Sequence, residues 1–245
     1  MNRILLFAGE VSADGRAMLR GRRAAHLLDT LRVTPGASVR VGMVNGPRGR
    51  AMVATAGPSG VELQCRFDEP GDAAAAPPLD LILALPRPKA MKRLWAPLAM
   101  LGVGRVDIVN AEKVERNYFD THWLDPVSYE PLLIEGLEQA GDTRLPVVAI
   151  HRRFRPFVED EAPGLYADHA RWVAHPGGAL RLPDWGSAAA ARGVVAVGPE
   201  GGWSEFELDL LRAAGFGEIS LGPRTLRTDV ACISLLTLAA TGRNR

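Results

Sequence analysis

The chain has 245 residues, 47% of them hydrophobic and 23% charged, which is typical of a globular protein with one or two cores and unlike a disordered one. It contains no run of the roughly 20 apolar residues that a membrane helix requires, and its N-terminus lacks a signal-peptide pattern, so we expect a cytoplasmic protein. Cys65 and Cys232 have no His or Cys neighbours at ligand spacing, which predicts two buried free thiols and no metal site.

Positive charge is concentrated near the N-terminus. The formal net charge is only +1, but residues 1–50 carry nine arginines against three acidic residues, a local balance of +6. A basic segment of this kind suits the phosphates of a nucleic acid. A solvated basic face without a partner would show the same pattern, so charge alone leaves both interpretations open.

The first 68 residues alternate short β-like runs with Gly and Pro turns, a pattern that predicts a small β-barrel. The runs are 4–7, 39–44, 52–55 and 61–67. One helix is expected over 22–31. Its spacing places Ala24, Leu27, Leu28 and Leu31 on an inward face and its basic residues towards solvent or RNA.

A composition change marks a domain boundary. Residues 69–78 combine Pro, Gly and small residues without apolar periodicity, as linkers do, so we expect domains over 1–70 and 79–245. Beyond the linker, short apolar runs alternate with helical patterns, which indicates an α/β domain with a largely parallel sheet. These runs are 80–85, 106–109, 146–150, 172–174, 194–197 and 219–221.

Two helices of this second domain can be placed from the residues at their ends, and a third from its apolar composition. Pro126 suits the first position of a helix that Gly141 ends. Ser204 and Glu207 have the spacing of a capping box at the start of another helix. The last helix, over 229–240, is apolar almost all round, so we expect it to be buried in the core or against a second subunit.

Two glycine-bearing loops carry the strongest functional signal. The sequences GPEGG at 198–202 and LGPR at 221–224 each follow a predicted strand. Glycine lets backbone amides and carbonyls approach a flat ligand without interference from Cβ atoms, which indicates a nucleotide-like pocket. Ordinary turns also carry Gly and Pro, so the structural alternative stays open here. The chain has no G-x-G-x-x-G opening a helix and no P-loop sequence, which argues against those two nucleotide sites.

The loops together, extended to LGPRTLRT at 221–228, closely resemble the paired signature of the bacterial 16S ribosomal RNA uridine-N3 methyltransferases, members of the SPOUT superfamily. Further matching segments are RRAAHLL at 22–28, VGMVNG at 41–46, EQA at 138–140 and RLP at 144–146. The chain departs from the family pattern at Val230, where threonine is expected, and at Met100, where an acidic residue usually precedes Leu-Gly-Val.

The resemblance implies an α/β fold: an N-terminal PUA-like β-barrel and a C-terminal SPOUT domain tied in a deep trefoil knot. It also implies a homodimer, S-adenosyl-L-methionine as cofactor, and methylation of uridine 1498 in 16S ribosomal RNA or in the small ribosomal subunit. No metal and no membrane partner are expected. The implied cofactor contacts are His175, Pro176, Gly177, Val197, Gly198, Pro199, Glu200, Gly201, Gly202, Leu221, Gly222, Arg224, Leu226 and Arg227.

The chemistry of uracil suggests catalytic candidates. Its N3 atom is a poor nucleophile until its proton leaves, and the negative charge that then develops can be stabilised by a guanidinium. Arg227 and Arg224 are the candidates for that role, and Glu200 is a candidate acceptor of the proton, although it can equally bond backbone amides. The RNA-binding candidates are Arg16, Arg20, Arg22, Arg23, Arg48, Arg152 and Arg153.

Two other functions fit the same pattern. The chain can be a methyltransferase of the same superfamily that acts on another ribosomal or transfer RNA nucleoside. It can also be a non-catalytic RNA-binding protein of ribosome assembly. Glycines at 198, 201, 202 and 222 argue against the second alternative, because a site that has lost its ligand has no steric need for them.

Overall fold

The computed structural model describes residues 3–69, 79–178 and 192–242. The chain divides into two compact units: unit 1 comprises 1–75 with 137–145, and unit 2 comprises 76–136 with 146–245. Most of the linker predicted over 69–78 lies outside the described residues. No helix in the described ranges is long and apolar enough to cross a membrane.

Unit 1 is built on one five-stranded sheet. Its strands are β1 (Ile4–Leu6), β2 (Arg16–Leu19), β3 (Ser38–Met43), β4 (Arg48–Gly57) and β5 (Gly60–Glu69). The order across the sheet is β1-β3-β4-β5-β2; β1 pairs parallel with β3, and the other pairs are antiparallel. All five strands contribute to one hydrophobic core, so the sheet curls around it. The core residues from the strands are Ile4, Leu6, Ala17, Leu19, Val41, Ala51, Val53, Val61, Leu63 and Cys65.

The four strands predicted in this region are confirmed, and β2 is an additional one. Its four residues, RAML, alternate exposed and buried side chains. The strand is short, and only two of its side chains, Ala17 and Leu19, face the core. Two buried apolar residues are too few to show the alternation that predicts a strand.

The helix predicted over 22–31 is shorter and less regular than expected. It consists of α1 (Gly21–Ala25) and a π-helical turn (His26–Thr30). Ala24 and Leu27 are buried as predicted, but Leu31 is exposed. In the π turn the Leu31 amide donates to the His26 carbonyl, five residues back. This wider turn rotates Leu31 away from the inward face.

Unit 2 is built on a six-stranded sheet in which every strand pair is parallel. Its strands are β6 (Leu79–Ala84), β7 (Arg105–Val109), β8 (Val147–His151), β9 (His169–Ala174), β10 (Arg192–Val197) and β11 (Gly217–Ile219). The order is β11-β9-β10-β6-β7-β8. The first five predicted runs of the second domain each overlap a strand, whereas the last, 219–221, meets β11 only at Ile219, because Ser220 and Leu221 already belong to the loop that follows.

Helices connect these strands. They are α2 (Pro88–Met100), α3 (Pro126–Ala140), α4 (Phe154–Pro156), α5 (Ala162–Leu165), α6 (Glu205–Ala213) and α7 (Thr228–Gly242), with a π-helical segment (Phe157–Glu161) between α4 and α5. Short 3₁₀ turns lie at Ala8–Glu10, Arg116–Asp120 and His122–Leu124. The predicted helix ends are confirmed: Pro126 begins α3, Gly141 follows it with φ +76°, and Ser204 and Glu207 form the capping box of α6.

The last helix, α7, is buried on one face within its own chain, and burial of its other face against a second subunit, the predicted alternative, stays a prediction. Cys232, Leu235 and Leu236 face the core, whereas Ile233 and Leu238 are exposed. Both cysteines are free and buried, as predicted. Burial raises the pKa of the Cys65 thiol to about 11, so this thiol is protonated at neutral pH.

Candidate functional site

A cleft of about 120 Å³ lies at the carboxyl edge of the sheet in unit 2. Because β9, β10 and β11 run parallel, the loops that follow them leave from the same edge. All three loops line the cleft. The lining residues are Ala174, His175, Pro176, Val197, Gly198, Pro199, Glu200, Gly202, Trp203, Ile219, Ser220, Leu221, Gly222, Arg224, Thr225, Leu226, Thr228 and Ala231.

The loop after β10 lies directly against the indole ring of Trp203. A Cβ atom at Gly198 would lie 3.2 Å from the Trp203 Nε1 atom, closer than ordinary contact, so a side chain there would displace the ring or the loop. Gly202 has φ +70°, a backbone conformation that favours glycine. Trp203 is buried, and its Nε1 atom has no hydrogen-bond partner among the described residues.

The loop after β11 is joined to both other loops. The Thr228 hydroxyl donates a hydrogen bond to the Gly198 carbonyl at 3.2 Å, which fixes this loop against the Gly198 loop. The Ser220 hydroxyl is 3.3 Å from the Pro176 carbonyl, in the loop after β9. Gly222 turns the chain with φ +110°. The two glycine loops that the sequence predicted as a pocket therefore lie side by side.

Two side chains outside the glycine loops hold them in place. Lys113, just beyond the end of β7, donates from Nζ to the Gly201 carbonyl at 3.0 Å. The buried Glu207 accepts hydrogen bonds from the Ser204 amide at 2.8 Å and from the Glu112 amide at 2.7 Å. The Lys113–Gly201 and Glu207–Glu112 contacts were not predicted, because each joins residues about 90 positions apart in sequence, whereas the Ser204–Glu207 contact belongs to the predicted capping box.

Comparison with known proteins identifies the family. A model described as an RNA methyltransferase domain matches residues 74–240. Over 233 residues, which are 93% of this chain and 86% of the relative, the sequence is 33% identical to the ribosomal RNA small subunit methyltransferase E of Treponema pallidum. This chain belongs to that RNA methyltransferase family.

Proteins of known structure have the same fold as this chain. A ribosomal RNA small subunit methyltransferase E from Neisseria gonorrhoeae, bound to S-adenosyl methionine, is 22% identical, with a TM-score of 0.77 over 98% of this chain and 97% of that one. A probable rRNA-methyltransferase from Porphyromonas gingivalis is 21% identical, with a TM-score of 0.78 over 98% of each chain. The family fold of a curled sheet and a parallel sheet is therefore present here, in agreement with the predicted α/β class.

Most of the cofactor contacts predicted from the family resemblance line the cleft. They are His175, Pro176, Val197, Gly198, Pro199, Glu200, Gly202, Leu221, Gly222, Arg224 and Leu226. Gly177, Gly201 and Arg227 are not among the lining residues. Sequence reasoning did not name Ala174, Ile219, Ser220, Thr225, Thr228 and Ala231, which also line it. Their positions next to the predicted loops were the available signal.

The three catalytic candidates of this family member have different surroundings. Arg224 lines the cleft, is exposed, and makes no hydrogen bond or ion pair with the described residues. Arg227 lies 3.3 Å from a carboxylate oxygen of Asp229, and 73% of its side chain is exposed. The Glu200 carboxylate accepts a hydrogen bond from the Arg87 amide at 3.1 Å. Of the two arginines, Arg224 is the one placed to face a ligand in the cleft.

Several of the predicted RNA-binding arginines have acidic partners. In unit 1, Arg16 lies 3.0 Å from Asp14. Arg23 pairs with Glu10 and also donates to the Leu5 carbonyl at 3.1 Å. The hydrogen bond from Arg23 lowers the pKa of the Glu10 carboxyl, which keeps this pair charged. Arg23 therefore has a structural role in unit 1.

The other predicted RNA-binding arginines are Arg20, Arg22, Arg48, Arg152 and Arg153. In unit 2, Arg152 donates to the Phe119 carbonyl at 3.1 Å and lies over the Phe119 ring, but most of it is exposed. Arg20, Arg22 and Arg153 are exposed, and Arg48 is half-buried. Their role in RNA binding stays a prediction.

A buried polar network in unit 2 was not predicted. Asp107, on β7, is fully buried and accepts hydrogen bonds from Arg105 at 2.7 and 2.8 Å, from His151 Nε2 at 2.7 Å and from the Tyr166 hydroxyl. Burial by itself would raise the pKa of Asp107, but these hydrogen bonds outweigh it and lower the pKa. Asp107 is therefore a charged structural centre of the sheet.

A second network surrounds Asp80 at the start of β6. Arg192 donates to both of its carboxylate oxygens, at 2.8 and 3.0 Å, and His169 Nε2 lies 3.0 Å away. Burial lowers the pKa of His169 despite the nearby carboxylate. An aspartate inside an otherwise apolar strand is the sequence signal that indicates such a network, because a buried charge requires partners.

Proposed function

We propose that this chain transfers a methyl group from S-adenosyl-L-methionine to N3 of a uridine in 16S ribosomal RNA, at uridine 1498. The observation that carries the proposal is the hydrogen bond between Thr228 and Gly198, which joins two glycine loops at the carboxyl edge of a parallel sheet. The relatives support it: the Treponema pallidum protein is named as a small-subunit ribosomal RNA methyltransferase, and the Neisseria gonorrhoeae protein was solved with S-adenosyl methionine.

The residues of the cleft fit an adenosyl group. The indole of Trp203 and the side chains of Leu221 and Leu226 offer apolar surface, and the glycines leave backbone groups accessible to a flat ring. The unpartnered Nε1 atom of Trp203 is a buried donor, which is typical of a site that a ligand completes. When bound, S-adenosyl-L-methionine supplies an electrophilic methyl group on its sulfonium. The loop residues hold this group in place and exclude water from it.

Arg224 is the residue best placed to act on the uracil. Once N3 loses its proton, negative charge spreads over N3 and the two carbonyl oxygens of the base. A guanidinium such as that of Arg224, which pairs with none of the described residues, can stabilise this charge. Arg227 is a weaker candidate, because Asp229 already neutralises part of its charge. The target base must also be unpaired or flipped out of a helix for its N3 atom to reach the cleft.

Glu200 has a positioning role in the loop. Its carboxylate accepts from the Arg87 amide, the residue that precedes α2, and so joins the Gly198 loop to the end of β6. Because the Glu200 carboxylate is engaged with the Arg87 amide, we assign the N3 proton to solvent or to a group brought by the RNA.

The assembly follows the family pattern. Residues 1–70 form a PUA-like RNA-binding barrel, residues 79–245 form the SPOUT domain with its trefoil knot, and two chains form a homodimer. The support for a dimer in this chain is the exposed apolar face of α7, at Val230, Ile233 and Leu238. Ile233→Glu should convert the dimer into a monomer in light scattering, whereas Val127→Glu, at a fully solvated position, should not. A monomeric unsubstituted chain would contradict this part of the proposal.

Calorimetry with S-adenosyl-L-methionine tests the cofactor assignment. The unsubstituted protein should bind it, and Gly198→Ala should lower the affinity by about tenfold, because the added Cβ displaces Trp203 or the loop. Gly164→Ala is the matched control, since a Cβ there meets nothing within 4 Å. A folded protein that binds no S-adenosyl-L-methionine would favour the non-catalytic alternative.

Mass spectrometry of nucleosides tests the target. Small-subunit RNA from a strain that lacks the gene should lose 3-methyluridine, and the gene supplied on a plasmid should restore it. Loss of a different modified nucleoside would identify the alternative methyltransferase function. Unchanged modification in the deletion strain would contradict both.

A further inference from the structure

The curled sheet of unit 1 carries a row of three arginines on its exposed face. Strand register places Arg40 of β3 opposite Arg50 of β4, and Arg50 opposite Arg66 of β5. All three side chains are exposed. Neighbouring strands lie about 4.8 Å apart, so the three residues span about 10 Å across the sheet. We call Arg40, Arg50 and Arg66 the arginine row.

Little inside the protein balances the charge of this row. Arg40 and Arg50 make no hydrogen bond or ion pair with the described residues. Arg66 has one distant ion pair, 3.8 Å from Asp68, with 86% of its side chain exposed. Like charges directly opposite each other on a sheet destabilise it, so the row lowers stability in a way that the described residues do not offset. Such a cost is expected where a ligand of opposite charge binds.

A concave site adjoins the row. A cavity of about 260 Å³ is lined by Arg3, Arg40, Gly49, Arg50 and Glu69. The Arg3 side chain is nine-tenths buried and donates to the Val41 carbonyl at 2.7 Å, so it is rigidly held. Its Nη2 atom lies 4.0 Å from Glu69. Three arginines against one carboxylate make this cavity electropositive.

A β-bulge accounts for the shape of this region. The register of β4 against β5 shifts between Arg48 and Gly49. A Cβ atom at Gly49 would lie 1.9 Å from the Arg66 carbonyl oxygen, so only glycine permits this close approach of the two strands. The bulge thus lies within the strand pair that carries Arg50 and Arg66.

We propose that the arginine row and its adjoining cavity bind the phosphate backbone of the substrate RNA. This inference rests on the proposed function, which supplies an RNA partner. Arginine suits the site because its planar guanidinium can donate two hydrogen bonds to one phosphate. The row spans the distance of a few successive phosphates on one strand, and its contacts position RNA without reading sequence. It differs from the arginines predicted from sequence, of which Arg16 and Arg23 have acidic partners.

The test compares two double substitutions that remove the same charge. Arg40→Gln/Arg50→Gln removes the unpaired arginines, and Arg155→Gln/Arg212→Gln removes exposed arginines that already pair with Glu159 and Asp209. Binding of a fluorescent small-subunit RNA fragment containing the target uridine is measured over a series of salt concentrations. The first variant should bind at least about tenfold more weakly, and its slope of log affinity against log salt should fall by about 2. The control should match the unsubstituted protein.

Three further readouts make the result decisive. Arg40→Lys/Arg50→Lys should keep most of the RNA affinity, because it retains the charge. The glutamine variant should unfold at the same or a higher temperature, since it relieves repulsion. Its affinity for S-adenosyl-L-methionine should not change. An unchanged RNA affinity and salt slope, or an equal loss in the control, would overturn the proposal.

A methyl-transfer assay with the same RNA and the same variants separates this inference from the proposed function. If the RNA binds through the row but no methyl transfer occurs, the methyltransferase proposal fails and the binding site stands. If methyl transfer to RNA occurs and the row variants bind RNA normally, the binding site fails alone.

Discussion

Two pairs of residues, one in each unit, show the opposite surroundings that an arginine can have in this protein. In unit 2, Arg105 donates two hydrogen bonds, at 2.7 and 2.8 Å, to Asp107, which is fully buried. In unit 1, Arg40 and Arg50 lie opposite each other on the adjacent strands β3 and β4. Both are exposed, and they pair with none of the described residues. The first arrangement stabilises a fold. The second leaves charge available to a partner.

This contrast shows why a count of arginines does not identify a binding surface. The basic N-terminal segment of this chain contains both kinds of residue: Arg23 is held by Glu10, whereas Arg50 pairs with no residue that the structure describes. The two arginines near the cleft show the same contrast, since Arg224 has no partner within 3–69, 79–178 and 192–242, whereas Arg227 has Asp229. The pairing of each guanidinium separates structural from functional candidates.

The largest effect is expected from removing a buried carboxylate. Asp107→Ala leaves Arg105, His151 and Tyr166 without their shared acceptor, and the free energy of unfolding should fall by about 3–5 kcal/mol. Denaturant titration measures it. Asp168→Ala, at an exposed aspartate, is the control and should change the free energy by less than about 0.5 kcal/mol. Similar losses of unfolding free energy in the two variants would show that Arg105 gains no stability from its pairing with Asp107, and the contrast with the arginine row would then fail.

Acid should reproduce part of that loss. The pKa of Asp107 is lower in the folded protein than its ordinary value of about 3.9. A group of this kind contributes stability that is fully present above its unfolded pKa and is lost as the pH falls through the lower, folded pKa. Below about pH 4, the unsubstituted protein should therefore lose stability more steeply than Asp107→Asn. Parallel pH profiles would show that the carboxylate is not held charged by its partners.

A smaller effect, on activity, should separate the two arginines of the cleft. Arg224→Ala should lower kcat by about 100-fold, or about 2.7 kcal/mol, with little change in the affinity for S-adenosyl-L-methionine. Arg227→Ala should lower kcat by less than about fivefold, because Asp229 shares its charge. Single-turnover methyl transfer and calorimetry measure the two quantities. A larger loss of kcat in Arg227→Ala than in Arg224→Ala would mean that the ion pair with Asp229 does not exclude Arg227 from catalysis.

Much of the fold could be predicted from sequence because its signals are local. Buried parallel strands appear as continuous apolar runs, and the ends of α3 and α6 carry proline, glycine and capping residues whose chemistry acts over a few positions. The misses have physical causes. β2 presents only two core side chains, and the π turn after α1 changes the helical period that placed Leu31 inward.

The candidate site was predictable only in part. The glycine loops were visible because glycine has a local steric meaning, and their contact was inferred from the family resemblance. The groups that hold the loops were not visible: Lys113 reaches Gly201 and Glu207 reaches Glu112 only in the folded chain. The arginine row was not predicted either, because it depends on which residues of neighbouring strands lie opposite each other. The sequence pattern of one strand does not determine that register.

A modest effect is expected from the lysine that supports the cofactor loop. Lys113→Met keeps the alkyl chain against Gly201 but removes the donor to the Gly201 and Trp203 carbonyls. The affinity for S-adenosyl-L-methionine should fall by about fivefold, near 1 kcal/mol for the lost hydrogen bonds, while kcat changes little. Lys89→Met, an exposed position on α2, is the control. An unchanged affinity would mean that the loop keeps its form without Lys113.

The smallest effect should have the opposite sign. Arg40→Thr removes one charge from the arginine row and introduces a residue that favours strands, so the free energy of unfolding should rise by about 0.5 kcal/mol. Ser38→Thr, on the same exposed face of β3, measures the strand preference without a charge change. The gain of Arg40→Thr over that control should shrink as salt screens the repulsion. A loss of stability would show that Arg40 has a favourable partner within unit 1, and the contrast between the two groups of arginines would then fail.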